Sequence, residues 1–180
     1  MSSTSSTKNF HWCLLSNAVG SINSSRSLFH LVHLQRLNLA DNYFNYSQIP
    51  STVSNLSKHT YLDLSFSAFF GQIPIEFSQL SLLLSLDLST NNGLKLKKPI
   101  LRSLVANLTH LEKLDLSWVR IVSMVPNILA NLSSLMSFQL CFCGLQSTSF
   151  SFQIYEFLMW GTTKVWCPNL INCVMCVGVW

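Results

Sequence analysis

Four aspartates recur at near-even spacing, Asp41, Asp63, Asp87 and Asp115, and are the first place to look for acid–base or metal chemistry. A column of like charges without a bound metal is no acid–base pair. The histidines His11, His30, His33, His59 and His110 are scattered, and His59 occupies an apolar place in the pattern described below, which reads as a packed core role. No G-x-S-x-G elbow, H-E-x-x-H helix, phosphate-binding glycine loop or kinase motif is present. Cys173 and Cys176 have C-x-x-C spacing, with Cys167, Cys141 and Cys143 upstream and Cys13 alone. Tetrahedral zinc wants two close pairs, and Cys141 and Cys143 would point to opposite faces of a strand. A zinc site is therefore disfavoured, and plain thiols are expected ahead of a disulfide. The expectation is a non-enzymatic chain with no metal and no cofactor.

What must position these residues is a recurrence. Leu31, Leu34, Leu37 and Leu39 repeat as Leu56, Leu62, Leu64, as Leu80, Leu83, Leu86, Leu88, as Leu108, Leu111, Leu114, Leu116, and as Leu132, Leu135, Phe138, Leu140. The markers Leu37, Leu62, Leu86, Leu114 and Phe138 stand 25, 24, 28 and 24 residues apart. That period and internal spacing give an α/β leucine-rich repeat solenoid of about five repeats with a parallel concave sheet. Leu-x-Leu is the alternation of a short strand with one buried face. No coil can bury its leucines alone, so neighbours must stack.

Asn42 and Asn91 fall where the chain leaves the strand, and a buried amide there can satisfy backbone groups of adjacent coils. Ser67, Val119 and Cys143 take that place in the other copies, so the ladder is expected to be weakest at Val119. Gln48-Ile49-Pro50, Gly71-Gln72-Ile73-Pro74 and Met124-Val125-Pro126 predict a second extended segment in each coil, because proline holds the preceding residue extended. Val53 and Leu56, Phe77 and Leu80, and Leu129 and Leu132 then return to the core at helix-like spacing.

These residues resemble the plant-type repeat L-x-x-L-x-x-L-x-L-x-x-N-x-L-x-G-x-I-P. Asn38-Leu39-Ala40-Asp41-Asn42, Leu62-Asp63-Leu64-Ser65 and Leu86-Asp87-Leu88-Ser89 are similar to the wording of plant receptor-like proteins. The longer repeat carrying Asn91-Asn92-Gly93-Leu94-Lys95-Leu96 resembles an extended repeat near the start of their ectodomains. The resemblance covers roughly residues 20–146. It implies a plasma-membrane or extracellular setting and cell-surface perception of defence or developmental ligands. The implied partners are a peptide, glycan or protein ligand and a receptor-kinase co-receptor. The alternatives are a soluble secreted inhibitor or decoy of pathogen enzymes, or an inactive gene fragment.

Composition fits such a coil stack, with 49% apolar and only 10% charged residues and a net charge of +4. Lys95, Lys97, Lys98 and Arg102 form the one basic cluster, read as a solvated loop and too narrow for nucleic acid. Three regions are expected: an incomplete flank with a degenerate half repeat at 1–27, the repeats at 28–146, and a hydrophobic Cys/Trp-containing tail at 147–180. Gly20-Ser21-Ile22 reads as the second half of a repeat whose strand lost its leucines. No secretion signal or membrane-length apolar run is visible, so a truncated form is expected. Acceptor triplets for N-glycosylation begin at Asn23, Asn45, Asn55, Asn107 and Asn131.

Candidate ligand contacts lie on the concave face, beside the inward leucines. Between the strand leucines run Asn38, Asp63, Asp87, Asp115 and Gln139, preceded on the same face by Arg36, Tyr61 and Lys113. Just before the ladder position run Asp41, Phe66, Thr90, Trp118 and Phe142. Aromatics beside acidic groups suit a peptide or protein partner, with Phe66 and Trp118 the less expected residues for this repeat.

Overall fold

The computed structural model describes residues 12–15, 17–22, 27–122, 132, 134–144 and 176–177. Its strands are β1 (Trp12–Leu14), β2 (Arg36–Asn38), β3 (Tyr61–Asp63), β4 (Phe70–Gln72), β5 (Ser85–Asp87), β6 (Gly93–Lys97), β7 (Lys113–Asp115), β8 (Arg120–Val122), β9 (Ser137–Gln139) and β10 (Cys176–Val177). The main sheet runs β1-β2-β3-β5-β7-β9-β10. From β1 to β9 every pairing is parallel, and Leu37, Leu62, Leu86, Leu114 and Phe138 are successive Cα partners. The leucine recurrence is therefore the register of the sheet.

β1 adds a coil that the leucine pattern does not show. Cys13 pairs with Leu37, 24 residues on, at the marker position of the repeat. The half repeat Gly20-Ser21-Ile22 thus follows a strand, β1, with cysteine at the marker position where the other coils have leucine or phenylalanine. At the far end, β10 pairs antiparallel with β9, Cys176 opposite Gln139. That direction is not one a further repeat would take.

A second sheet, β4-β6-β8, is also parallel and carries the extended segments after the ladder position. Pro50 and Pro74 stand in extended conformation at the entry to 3-10 helices Ser51–Leu56 and Ile75–Gln79. In the longer coil the helix is α-helical, α1 (Lys98–Asn107), with proline in its first turn. The expectation at Met124-Val125-Pro126 and Leu129 falls outside the described residues.

Between the layers lies one continuous apolar core. Leu37, Leu39, Val53, Leu56, Leu62, Leu64, Phe77 and Leu80 are all fully buried, each worth roughly 1.5–3 kcal/mol of transfer free energy. The buried amides hold the coil edges. Asn42 Nδ2 donates to the carbonyls of Leu15, Leu39 and Ala40 at 2.8, 2.7 and 3.0 Å, and its Oδ1 accepts from the Ala18 amide at 2.7 Å. Asn91 Nδ2 donates to Leu64, Leu88 and Ser89 carbonyls while Oδ1 accepts from the amides of Ser67 and Phe69. Ser67 Oγ donates to Leu39 O at 2.6 Å, and Cys143 Sγ lies 2.9 Å from Leu116 O. Val119 is fully buried and brings no side-chain polar atom to its rung.

His59 fills a leucine position as expected, fully buried, but neither ring nitrogen has a hydrogen-bond partner among the described residues. Burial lowers its pKa below the ordinary 6.5. The folded protein therefore keeps the ring neutral while the unfolded chain takes up a proton, and stability falls as pH drops through this range.

Replacing Asn91 by alanine strands several buried backbone groups, and a loss of about 3 kcal/mol is expected in urea unfolding. A loss under about 1 kcal/mol would show that water replaces the rung. His59→Leu should instead raise stability by about 1–3 kcal/mol and remove the drift below pH 6.5, read from melting temperatures across pH. A destabilised leucine variant would mean that the imidazole's shape is what the core needs.

Candidate functional site

The concave sheet places the expected contact residues in three parallel rows. The row at the strand starts is Arg36, Tyr61, Ser85, Lys113 and Ser137, in Cα register from strand to strand. Arg36 and Lys113 are exposed, and the Arg36 guanidinium carbon lies 4.6 Å from the Tyr61 ring centroid. A hollow of about 230 Å³ opens here between Arg36, Tyr61, Glu112 and Lys113.

Asn38, Asp63, Asp87, Asp115 and Gln139 form the middle row. The structure turns most of these side chains to structural work. Asp63 Oδ1 accepts from the Ser65 amide and hydroxyl at 3.0 and 2.7 Å, and its Oδ2 accepts from the Tyr61 hydroxyl at 3.2 Å. Asp87 and Asp115 accept from the amides of Ser89 and Ser117, and Asn38 from that of Ala40. Each side chain thus closes a turn onto the amide two residues on, where the chain leaves the strand. Gln139 alone in the row is exposed. Burial, opposed by the Ser89 hydrogen bonds and helped by the neighbouring carboxylates Asp115 and Asp63, pushes Asp87 up from 3.8 to about 6. Asp115 is raised for the same leading reason.

The third row is where the backbone is unusual. Asp41, Phe66, Thr90, Trp118 and Phe142 have φ of 56, 50, 54, 65 and 57°, and Asn17 begins the row with 56°. Asparagine and aspartate tolerate this left-handed region, whereas phenylalanine, tryptophan and threonine strain it. The stack imposes it, because the amides of Phe66, Thr90 and Trp118 bond the Ser89, Ser117 and Cys141 carbonyls of the next coil. Phe66, Trp118 and Phe142 are 58, 44 and 44% exposed. Trp118 and Phe142 stack with centroids 4.4 Å apart and planes 21° from parallel. Asp41, Tyr43 and Phe66 border an open hollow of about 680 Å³ with Asn17 and Val19. Spacing located this row, but nothing in the sequence announced its backbone conformation or the contribution of Tyr43.

Elsewhere the structure revises or extends the expectations. Lys95 and Lys97 are no solvated loop: they lie on β6, paired on both sides, because the extended repeat lengthens a strand. Cys143 is buried and Cys141 partly exposed, and Cys141 is disulfide-bonded rather than the plain thiol expected. Among the described residues no group of three or more His, Cys, Asp or Glu side chains could hold a metal ion, and no helix is long and apolar enough to cross a membrane. Asn45 and Asn107 are exposed and Asn55 partly so, whereas Asn23 and Asn131 lie outside the described residues.

Stacked parallel coils, buried amide rungs and a family model for the leucine rich repeat matching residues 33–56 define a leucine-rich repeat solenoid. Receptor-like protein 6 of Arabidopsis thaliana is 40% identical over 132 residues, which is 70% of this chain and 13% of that protein. The repeats are similar to those of plant receptor-like proteins. Among solved structures, the ectodomain of the Arabidopsis receptor kinase HAESA, in complex with an IDA peptide hormone ligand, has a TM-score of 0.57 at 28% identity, covering 71% of this chain and 21% of that one. The ectodomain of the receptor kinase SOBIR1 has a TM-score of 0.54 at 27% identity, covering 71% and 67%. The chain spans about an eighth of the length of the curated relatives it matches.

Between 3.8 and about 6 the folded protein holds a proton on Asp87 that the unfolded chain has released. This contribution to stability is complete below 3.8 and is lost as pH rises through about 6. Asp87→Asn keeps the acceptor for the Ser89 amide and should flatten that fall. Melting temperatures of the two proteins, compared pH by pH so that the opposite drift of His59 cancels, check it. Identical profiles would refute a raised Asp87.

Proposed function

We propose that this chain is a non-catalytic recognition segment of a plant cell-surface receptor-like protein, outside the cell or at the plasma membrane, and that it binds a peptide or protein ligand across its concave face. The supporting observation is the aromatic row. Exposed Phe66, Trp118 and Phe142 are kept at positions where asparagine or aspartate would fold with less strain. Backbone strain of order 1–3 kcal/mol per residue persists where a function needs it. Large aromatic groups with few rotatable bonds are the side chains that anchor interfaces. The middle row fits a secondary role, since its carboxylates already hold the turns of their own coils.

Binding by such a surface needs no nucleophile or general base. The nearest carboxylates, Asp63, Asp87 and Asp115, repeat along one column, and each accepts hydrogen bonds from its own turn. The peptide hormone in the HAESA complex makes a peptide the first ligand class to try, with a receptor-kinase partner relaying the signal. N-glycans on Asn45, Asn55 and Asn107 would accompany passage through the secretory route.

A peptide selected against the wild-type chain should lose about tenfold or more in affinity on Trp118→Ala, and less than about threefold on Asp87→Asn, by isothermal titration calorimetry. Equal losses would remove the aromatic row as the anchor.

A further inference from the structure

The second sheet carries a charge pattern that the concave face does not use. On its central strand β6, Leu94 and Leu96 are buried, whereas Lys95 and Lys97 alternate with them and reach solvent. Lys95 is the Cα partner of Arg120 on β8, so two cationic side chains leave neighbouring strands at a backbone spacing of about 4.8 Å. None of β4, β6 and β8 contains an acidic residue. No described residue forms an ion pair with Lys95, Lys97 or Arg120.

Like charges directly opposite one another destabilise a sheet. Charges placed to discourage edge-to-edge pairing would explain Arg120, since β8 is an edge strand. They do not explain β6, which is paired on both sides. Beside the cations lies Phe70, 44% exposed, with its register partner Gly93 on β6. A Cβ at Gly93 would come within 2.7 Å of the Phe70 ring, so glycine is what lets the ring lie against the neighbouring strand. The Lys95 ammonium is 5.6 Å from the ring centroid. An aromatic ring and two cations without an ion-pair partner among the described residues therefore share one surface.

We propose that this second sheet binds an acidic oligosaccharide of the uronate type, with Phe70 against the face of a sugar ring and Lys95 and Arg120 on its carboxylates. A uronate unit carries an apolar C–H face and a carboxylate in one rigid residue, which matches the ring beside the cations. A run of acidic residues such as polyglutamate carries its carboxylates on flexible stems and has no rigid apolar face to lay against the ring. The site lies on a different sheet from the concave rows, so it stands or falls apart from them.

The test is titration of the full chain with a defined oligogalacturonate, with its methyl-esterified counterpart and with polyglutamate. The oligogalacturonate should bind about tenfold or more tightly than the methyl ester, and its binding should weaken as added salt shortens the screening length. Joint substitution Lys95→Glu and Arg120→Glu should abolish it, and Phe70→Ala should lower it severalfold. Trp118→Ala should leave it unchanged, which separates this surface from the concave one. Equal binding of the methyl ester, polyglutamate binding as tightly as the sugar, or no binding at all would each overturn the proposal. The ligand comparison uses the unsubstituted chain and holds even where a variant fails to fold.

Discussion

Leu37, Leu62, Leu86, Leu114 and Phe138 meet as neighbours across parallel strands, and almost everything else in the molecule is a consequence of that contact. A single coil exposes its leucines on both flanks; only the next coil removes them from water. Stability is then a sum of nearest-neighbour interfaces rather than one global core. The weakest interface therefore matters more here than it would in a globular domain. The Val119 rung, fully buried and without a side-chain polar atom, is the natural place to look for it.

Stacking at strand spacing also creates the polar problem that the asparagines solve. Where each coil turns out of the sheet, its backbone groups are buried against the next coil and have no strand partner. Asn42 and Asn91 each bond two coils at once, which fixes the coils' separation and closes the turn. The same turn forces the preceding residue into the left-handed region. Structural need and surface display are therefore coupled: the backbone that makes the rung also thrusts Phe66, Trp118 and Phe142 into solvent.

The two sheets divide the surface by chemistry. The concave one combines exposed aromatics with carboxylates held by their own turns, while the second combines paired cations with one ring. Raised carboxylate pKa values on the first follow from burial and from identical residues stacking in register, one carboxylate on each successive strand. That stacking is unavoidable when Leu-Asp-Leu-Ser is reused from coil to coil.

The sequence by itself determined the solenoid, its register, the rungs at Asn42 and Asn91 and the core place of His59. Each of these rests on a period of about two dozen residues that survives without knowledge of any long-range contact. The first coil was hidden, since Cys13 holds a leucine's place and only its pairing with Leu37 reveals it. Tertiary structure alone decided that the aspartates bond their own turns and that the aromatic row is strained. It likewise joined Arg120 to Lys95 from a separate coil. The reason is physical: burial periodicity is written along the chain, whereas hydrogen-bond partners, backbone strain and charge adjacency arise between coils only once they are stacked.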